Sequence, residues 1–256
     1  MLRTLWTSKS GLSANQDRLD AISNNIANSS TMGYKKLNVG FKDLLSESLD
    51  RKGYPVNDRD ASMGTGVRTT DWYRSGTQGN LYATEIATDL SIDGENNYFR
   101  LTSPDGEKLY TRDGAFLVDS AGRMVDANGN ILDIEYAEQF QDTGFRFSPD
   151  SLLVSQEGYV YNSENGINTL VGKINLYTAV GDKAFISVGD NLFVPAADAD
   201  VQVSTRGNIN QGYLEGSTVD IAQEFTDMIV TQRAFQLCSK SLQTADDMWG
   251  MVNNIR

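Results

Sequence analysis

Apolar residues recur at a step of seven near both ends of the chain, and this spacing predicts two long helices. The first series is Leu5, Leu12, Leu19 and Ile26, and the second is Ile221, Met228, Phe235, Leu242 and Trp249. A step of seven places each series on one helix face and favours a seam against another helix. The end of the first helix is predicted by Asn28, Ser29, Ser30, Thr31 and Gly33. The N-cap candidates for the second helix are Ser217, Thr218 and Asp220.

The second core position of each predicted heptad is mostly polar. It is assigned to Lys9, Gln16 and Ser23 in the first helix and to Gln232, Ser239 and Asp246 in the second. One apolar residue per heptad makes a weak two-stranded coiled coil, and Trp6, Ile229 and Leu237 are apolar but lie off the seam. Two interpretations stay open: a helical hairpin within one chain, or packing among the helices of several chains.

Short apolar runs separated by turn signals fill the middle of the chain and predict strands. The runs are 90–92, 98–101, 115–118, 152–154 and 173–177, and the turn signals are Pro104-Asp105-Gly106, Asp113-Gly114, Asn128-Gly129 and Asn165-Gly166. Spacings of roughly ten residues are typical of a meander or an irregular barrel rather than of βαβ units.

These patterns together predict an α+β fold. The N- and C-terminal helices pack as a coiled-coil-like unit, and the central domain is all-β, of irregular meander or barrel type. Residues 1–35 and 217–256 form the helical domain, 36–66 an extended connector, and 67–216 the β domain. The connector includes the polar, non-periodic stretch 46–63.

Charge is distributed unevenly along the chain. The net charge is −12, and residues 64–216 carry 10 basic against 22 acidic side chains, whereas both ends are nearly neutral. Such an acidic chain is a poor ligand for nucleic acid or anionic membranes. No stretch reaches the ~18 apolar residues of a membrane span, and the start lacks the apolar core of a secretory signal. We therefore expect a protein that is either cytoplasmic or exported by another route.

The composition also argues against catalysis. The chain has no histidine, which removes the commonest general base and metal ligand, and its single cysteine excludes a Cys-cluster zinc site. Cys238 is interpreted as a small packing residue, Gly64-Thr65-Gly66 as a turn, and 126–130 as a hairpin turn rather than a calcium loop. We assign no catalytic, cofactor or metal residue and expect no enzymatic activity.

Several stretches, in order along the chain, resemble the bacterial flagellar rod and hook proteins. They are 27–35 (ANSSTMGYK), 64–67 (GTGV), 78–81 (QGNL), 110–116 (YTRDGAF), 189–193 (GDNLF), 211–215 (QGYLE), 224–229 (EFTDMI) and 232–235 (QRAF). Within this family, the length and the stretch before Gly64 look most like the distal rod subunit. A proximal rod or hook-like subunit is the alternative.

The resemblance implies a structural subunit of the basal-body rod, exported across the cytoplasmic membrane. Such subunits have terminal segments that are disordered in the monomer and become helices in a filament, where they line a central channel. The implied function is a hollow helical shaft that transmits torque and passes export substrates. The implied partners are further copies, other rod proteins, hook or hook-junction subunits, the flagellar type III export apparatus and ring proteins around the rod.

The resemblance also assigns roles to residues. Intersubunit helix packing falls to Leu5, Leu12, Leu19, Ile26, Ile221, Phe225, Met228, Phe235, Leu242 and Trp249. The family motif includes Ala27, Asn28, Thr31, Gly33 and Tyr34. Phe41 and Leu45 resemble a short element that engages the export gate, although these two side chains would also suit simple packing. The alternative from another class is a ligand-binding β module whose terminal helices form an intramolecular hairpin.

Overall fold

The computed structural model describes residues 2–48, 62–140, 145–164, 166–179, 181, 184–197 and 199–254. Within these residues the chain forms two helices, α1 (Leu2–Ala27) and α2 (Ile221–Asn254). The strands between them are β1 (Leu37–Asn38), β2 (Phe41–Asp43), β3 (Ser46–Ser48), β4 (Ser62–Gly64), β5 (Val67–Thr69), β6 (Tyr73–Arg74), β7 (Leu81–Ala83), β8 (Leu90–Asp93), β9 (Tyr98–Thr102), β10 (Lys108–Thr111), β11 (Leu117–Val118), β12 (Met124–Val125), β13 (Ile131–Leu132), β14 (Ile134–Tyr136), β15 (Leu152–Val154), β16 (Tyr159–Glu164), β17 (Ile167–Ile174), β18 (Leu176–Ala179), β19 (Phe185–Gly189), β20 (Leu192–Pro195), β21 (Val201–Val203), β22 (Asn208–Gln211) and β23 (Tyr213–Glu215).

The helix boundaries agree with the sequence signals. α1 ends at Ala27, immediately before the polar run that the sequence predicted to stop it. Ahead of α2, Asp220 Oδ1 accepts hydrogen bonds from the amides of Ala222 (2.9 Å) and Gln223 (3.2 Å). Asp220 is therefore the N-cap, because it satisfies two amides that have no partner within the helix. Neither described helix has the length and apolar character that crossing a membrane requires.

The chain divides into two compact units. The helical unit comprises Met1–Ala27, Leu37–Tyr73 and Asp220–Arg256, and the β unit comprises Asn28–Lys36 and Arg74–Val219. The sequence instead placed 36–66 in a separate connector. The structure forms β1 to β4 within that stretch, while residues 49–61 of the predicted polar segment lie outside the described residues. The domain boundaries that composition suggested stay a prediction about which parts fold separately.

In the helical unit α1 and α2 run antiparallel. Ser8 Oγ near the start of α1 donates to Ser241 Oγ (3.1 Å) in the second half of α2. At the other end of α1, Asn25 Nδ2 donates to Glu224 Oε2 (3.1 Å) in the first turn of α2. The same Asn25 side chain bonds the backbone of Leu37, accepting from its amide at 2.8 Å and donating to its carbonyl at 2.9 Å.

A short strand pair packs on α1 within this unit. Strand β2 pairs antiparallel with β5, so that Phe41 lies opposite Thr69. The Thr69 hydroxyl donates to Asp17 Oδ2 (2.8 Å), and the Val67 amide donates to Ser10 Oγ (3.3 Å). Polar groups of α1 thus hold the backbone and side chains of β5.

The β unit contains two larger antiparallel sheets. The first has the strand order β11-β12-β13-β9-β10-β20-β19, with β18 also pairing with β9 and β21. The second has the order β14-β17-β16-β15. Strands β8 and β22 form a further pair, as do β7 and β23.

Strand β9 lies at the centre of the β unit and is covered on both faces. Phe99 and Leu101 enter the main apolar core, where Phe99 meets Phe116 edge to face at 5.4 Å between ring centroids. Tyr98 points to the opposite face, as alternation along a strand requires, and joins a second cluster with Phe193. The β unit is therefore held together by two apolar clusters that share strands β9, β10 and β18.

The predicted α+β class is confirmed, with a helix near each end and a β-rich centre. The barrel alternative is wrong for the described residues, since the largest sheet is open and ends at β11 and β19. The run predicted at 173–177 is two strands interrupted at Asn175. Gly114 does not close a hairpin: it lies against β8, and a Cβ on it would fall 1.5 Å from the Leu90 carbonyl oxygen.

Candidate assembly interface

None of the ten residues predicted to pack between subunits is fully buried by its own chain. Seven are half-buried and three are exposed. The half-buried ones are Leu5, Leu12, Leu19, Ile26, Met228, Phe235 and Leu242, and the exposed ones are Ile221, Phe225 and Trp249. Exposure reaches 51% at Phe225, an aromatic residue of the kind that usually supplies interface energy. These side chains therefore have apolar surface left for another chain.

The contact between α1 and α2 is made by small and polar residues instead. On α2 the line toward α1 repeats at a step of seven, and on α1 most of the buried residues are also short, although Ile22 and Asn25 are buried too. The two sets are Glu224, Thr231, Cys238 and Ala245 on α2, and Ser8, Gly11, Ala14 and Ala21 on α1. The helices approach closely where Gly11 meets Cys238, because a Cβ on Gly11 would lie 3.1 Å from the cysteine sulfur.

The second heptad position that the sequence assigned is mostly exposed within this chain, with Ser239 half-buried, and its packing against another chain stays a prediction. Lys9, Gln16 and Ser23 of α1 are exposed, as are Gln232 and Asp246 of α2. The buried line on α2 lies one residue earlier in each heptad, where side chains are short enough for the backbones to approach. A heptad pattern of large apolar side chains does not indicate a seam that is built from small ones.

Large apolar side chains on the outer surfaces of the helices are mostly exposed. Besides the predicted packing residues, they are Trp6, Ile229, Val230, Leu237, Met248, Met251 and Val252. Exposed apolar side chains in this number mark interaction surfaces in soluble proteins.

The family motif begins at the last residue of α1, Ala27, and continues as a tight turn in the β unit. The Asn28 carbonyl accepts from the Thr31 amide at 3.2 Å, and its side-chain oxygen accepts from the Thr31 hydroxyl at 3.3 Å. Gly33 has a φ of +67°, and a Cβ on it would lie 2.7 Å from the Asp113 amide nitrogen. Only glycine fits this position without displacing backbone.

Tyr34 anchors the next part of this segment. Its side chain is buried, and its carbonyl accepts from the Thr218 amide at 3.1 Å. The Arg74 guanidinium lies 5.0 Å from the centre of the Tyr34 ring and donates to the Lys35 carbonyl at 3.0 Å. Residues from both ends of the β unit's sequence thus hold the motif in one conformation.

Three buried charged residues form a cluster beside the motif. We call Lys35, Arg112 and Glu215 the charge cluster. Glu215 Oε1 accepts from Lys35 Nζ (2.6 Å) and from the Gly79 amide (2.6 Å), while its Oε2 accepts from Arg112 Nε (2.5 Å). Lys35 Nζ also donates to the Thr77 carbonyl at 2.6 Å.

Arg112 is further bound to backbone. Its two Nη atoms donate to the carbonyls of Ile92, Gly94 and Asn97 at 3.2, 2.6 and 2.5 Å. Buried charges persist only where partners replace the lost water, and here every member of the charge cluster has several.

The cluster shifts the pKa values of its members. Burial, reinforced by the charge of Arg112, lowers the pKa of Lys35 to about 8, although Glu215 and Glu95 oppose the shift. Burial alone would raise the pKa of Glu215, but Arg112 and Lys35 outweigh it and hold that pKa below its usual value. At neutral pH all three side chains are charged, and one positive charge is in excess.

The shifted Lys35 predicts that stability rises with pH. Between pH 8 and the ordinary lysine value of about 10.4, the unfolded chain binds more protons at Lys35 than the folded chain does. Each pH unit in this window adds about 1.4 kcal/mol to the free energy of unfolding. From pH 7.5 to 9.5 we expect wild type to gain about 2 kcal/mol relative to Lys35→Met.

Chemical unfolding of both proteins at the two pH values measures this gain. Buried tyrosines such as Tyr98, whose pKa burial raises, occur in both proteins and cancel from the difference. If the difference in the free energy of unfolding between wild type and Lys35→Met is the same at pH 7.5 and 9.5, the lowered pKa of Lys35 is contradicted.

The two residues of the predicted export element lie in and just after β2. Phe41 is exposed by 41% and has the Arg18 guanidinium 5.6 Å from its ring centre. Leu45 is exposed by 87%, so it does not pack within its own chain. Their role at the export gate stays a prediction.

The remaining sequence motifs have local explanations. The Asp126 carboxylate accepts hydrogen bonds from the amides of Asn128 and Asn130, both at 2.8 Å, and so stabilises its own turn. Cys238 lies in the helix contact described above. No group of three or more His, Cys, Asp or Glu residues suited to a metal occurs in the described part of the chain.

Sequence reasoning missed the charge cluster. Lys35, Arg112 and Glu215 each lie in a stretch quoted for the family resemblance, but no role was assigned to them. The available signal was that each of these three motifs contains a charged residue, although 110–116 contains Asp113 besides Arg112. Pairing them across up to 180 positions needed the structure.

Two long helices with exposed apolar side chains, in a chain that also folds an acidic β unit, are characteristic of a structural protein that assembles through its helices. Three family models match in chain order. Residues 5–35 match a flagella basal body rod protein, 91–141 the D1 domain of the flagellar hook protein FlgE/F/G, and 210–255 the C-terminal part of the flagellar basal body rod FlgEFG protein.

Relatives that align over the full length of the chain are flagellar proteins as well. The flagellar basal-body rod protein FlgG of Borreliella burgdorferi is 32% identical, over 100% of this chain and 99% of the relative. FlgG of Buchnera aphidicola from Acyrthosiphon pisum is 34% identical over 97% of each chain. The flagellar hook-basal body complex protein FlhP of Bacillus subtilis is 27% identical over the whole of both chains.

The chain therefore belongs to the flagellar basal-body rod protein family. This membership confirms the resemblance seen in the sequence. It gives the chain a structural role in the flagellar basal body, and its relatives are structural rod proteins rather than enzymes.

Proposed function

We propose that the chain is a subunit of the distal rod and polymerises into a hollow helical shaft that transmits torque and passes export substrates. The full-length relatives at 30–34% identity support the distal position, because they share the name of the distal rod protein, FlgG. The observation that carries the mechanism is the division of the two helices into a small-residue contact within the chain and large apolar side chains left exposed.

This division suits packing among several neighbours. Small residues let α1 and α2 approach within one subunit, so the bulky residues at the predicted seven-residue step stay available for other subunits. Coiled-coil-like packing between subunits then buries Phe225, Trp249 and their counterparts on α1. Contacts that join unlike surfaces of successive subunits do not close on themselves, so the assembly grows as a tube.

The partners follow from the same proposal. They are further copies of the chain, other rod proteins, hook or hook-junction subunits, the export apparatus, and ring proteins around the rod. The exposure of Phe41 and Leu45 supports a role for these residues at the export gate, because a segment that another protein binds must be accessible. The acidic β unit forms the outer wall and meets the surroundings of the rod.

One relative favours a second candidate within the family. FlhP is a hook-basal body complex protein that aligns with the whole chain. A proximal rod or hook-like position is therefore the alternative to the distal rod.

Amide hydrogen exchange on the dilute monomer and on the assembled polymer tests the proposal. We expect residues 2–27 and 221–254 to exchange freely in the monomer and to become protected in the polymer, whereas the core strands of the β unit stay protected in both. Protected helices in a chain that remains monomeric at high concentration would contradict it. That result would favour the ligand-binding module with a closed helical hairpin.

A further inference from the structure

The β unit has an uncharged strand edge in β17. Ile167, Asn168, Thr169 and Leu170 are all exposed, with Ile167 at 70%. Because alternate residues of a strand point to opposite faces, neither face of this half of β17 is covered. Strand β14 pairs only with Gly172–Ile174, and in the described part of the chain no other strand pairs with that edge of Ile167–Leu170.

A second uncharged edge is β19, the last strand of the largest sheet. Phe185 points inward and lies 4.6 Å from Tyr98 between ring centroids. Ile186 and Val188 are exposed by 57% and 59%. Among the described strands only β20 pairs with β19, so its outer edge presents free backbone groups.

Charge restricts where two copies of the β unit approach each other. Residues 64–216 carry a net charge of −12, so most of this surface repels a second copy. The stretches 167–172 and 184–189 contain no charged residue. Neither contains the lysine or proline with which proteins usually block an open strand edge.

We propose that the Ile167–Leu170 edge of one copy pairs with the Phe185–Gly189 edge of a second copy. Strand addition satisfies the free backbone groups and brings exposed isoleucines of both edges together. The two edges are different surfaces, so the contact is head to tail and repeats from copy to copy. The inference rests on the proposed function, because it requires copies that polymerise, and it adds a contact between β units to the contacts between helices.

Charge substitutions in the full chain test the pairing. Ile167→Lys and Ile186→Glu each place an unpaired charge in the joint, and we expect each to raise the protein concentration needed for polymerisation by about tenfold or more. A chain that carries both changes brings lysine and glutamate together at every joint, so its polymerisation should return to within about threefold of wild type. Sedimentation and electron microscopy measure the polymer, and thermal unfolding of each monomer checks its fold.

Ile86→Lys is the matched control, since Ile86 is 54% exposed, close to Ile186, but lies outside every described strand. It should polymerise like wild type. If wild type polymerises and both single variants do so equally well, or the double variant is no better than the singles, the inference is overturned while the proposed function stands. A wild-type chain that never polymerises would overturn both.

Discussion

Replacing Glu215 by glutamine is expected to lower the free energy of unfolding of the β unit by about 3–5 kcal/mol. The change removes the only negative charge of the charge cluster and leaves Lys35 and Arg112 buried beside each other. A glutamine amide nitrogen would also face donors that now bind carboxylate oxygens. Thermal unfolding should show a melting temperature lower by about 10 °C or more.

Glu157→Gln is the matched control, because Glu157 is exposed in the same unit and its loss should change stability by less than about 0.5 kcal/mol. The double variant Lys35→Met/Glu215→Gln should lose less free energy of unfolding than the sum of the losses of the two single variants. The reason is that it no longer buries two cations without a carboxylate between them. Equal stability of Glu215→Gln and Glu157→Gln would show that the charge cluster does not hold the β unit.

The helices illustrate what a sequence pattern can and cannot give. The seven-residue step located both helices, and residue type made Asp220 one of three N-cap candidates, since both signals depend on local sequence. It did not indicate the contact line of Thr231, Cys238 and Ala245 within the chain, because these side chains are short and Thr231 is polar. Two helix backbones approach closely only where the side chains between them are small. Which small residues face each other becomes clear only when the two helices are seen packed together.

In the β unit, too, local sequence patterns predicted elements but not the contacts between residues far apart in the chain. Turn chemistry predicted many of the strands, but Gly114 looked like a hairpin turn when its function is close contact with Leu90. The charge cluster brings together residues 35, 112 and 215, and no local sequence pattern predicts that these three residues lie in contact. Open edges such as β19 depend on strand order, which an irregular sequence of short strands does not specify.

Phe225→Asp is expected to abolish polymerisation while leaving the monomer's β unit folded. Phe225 is 51% exposed on α2, so an aspartate there meets water in the monomer and costs little. In the polymer the same carboxylate would be buried among apolar side chains of neighbouring subunits, which no partner compensates. Sedimentation of the variant should show monomer at concentrations at which wild type is fully polymerised.

Gln223→Asp provides the comparison, since it places the same charge at an exposed polar position of α2 that lies about 160° around the helix from Phe225. It should polymerise at a concentration close to that of wild type. Polymerisation of Phe225→Asp at the wild-type concentration would show that this face of α2 stays in water in the assembly. Subunit contacts would then have to come from other surfaces. The strand edges of the β unit would be examined first, because Ile167→Lys and Ile186→Glu test them without altering either helix.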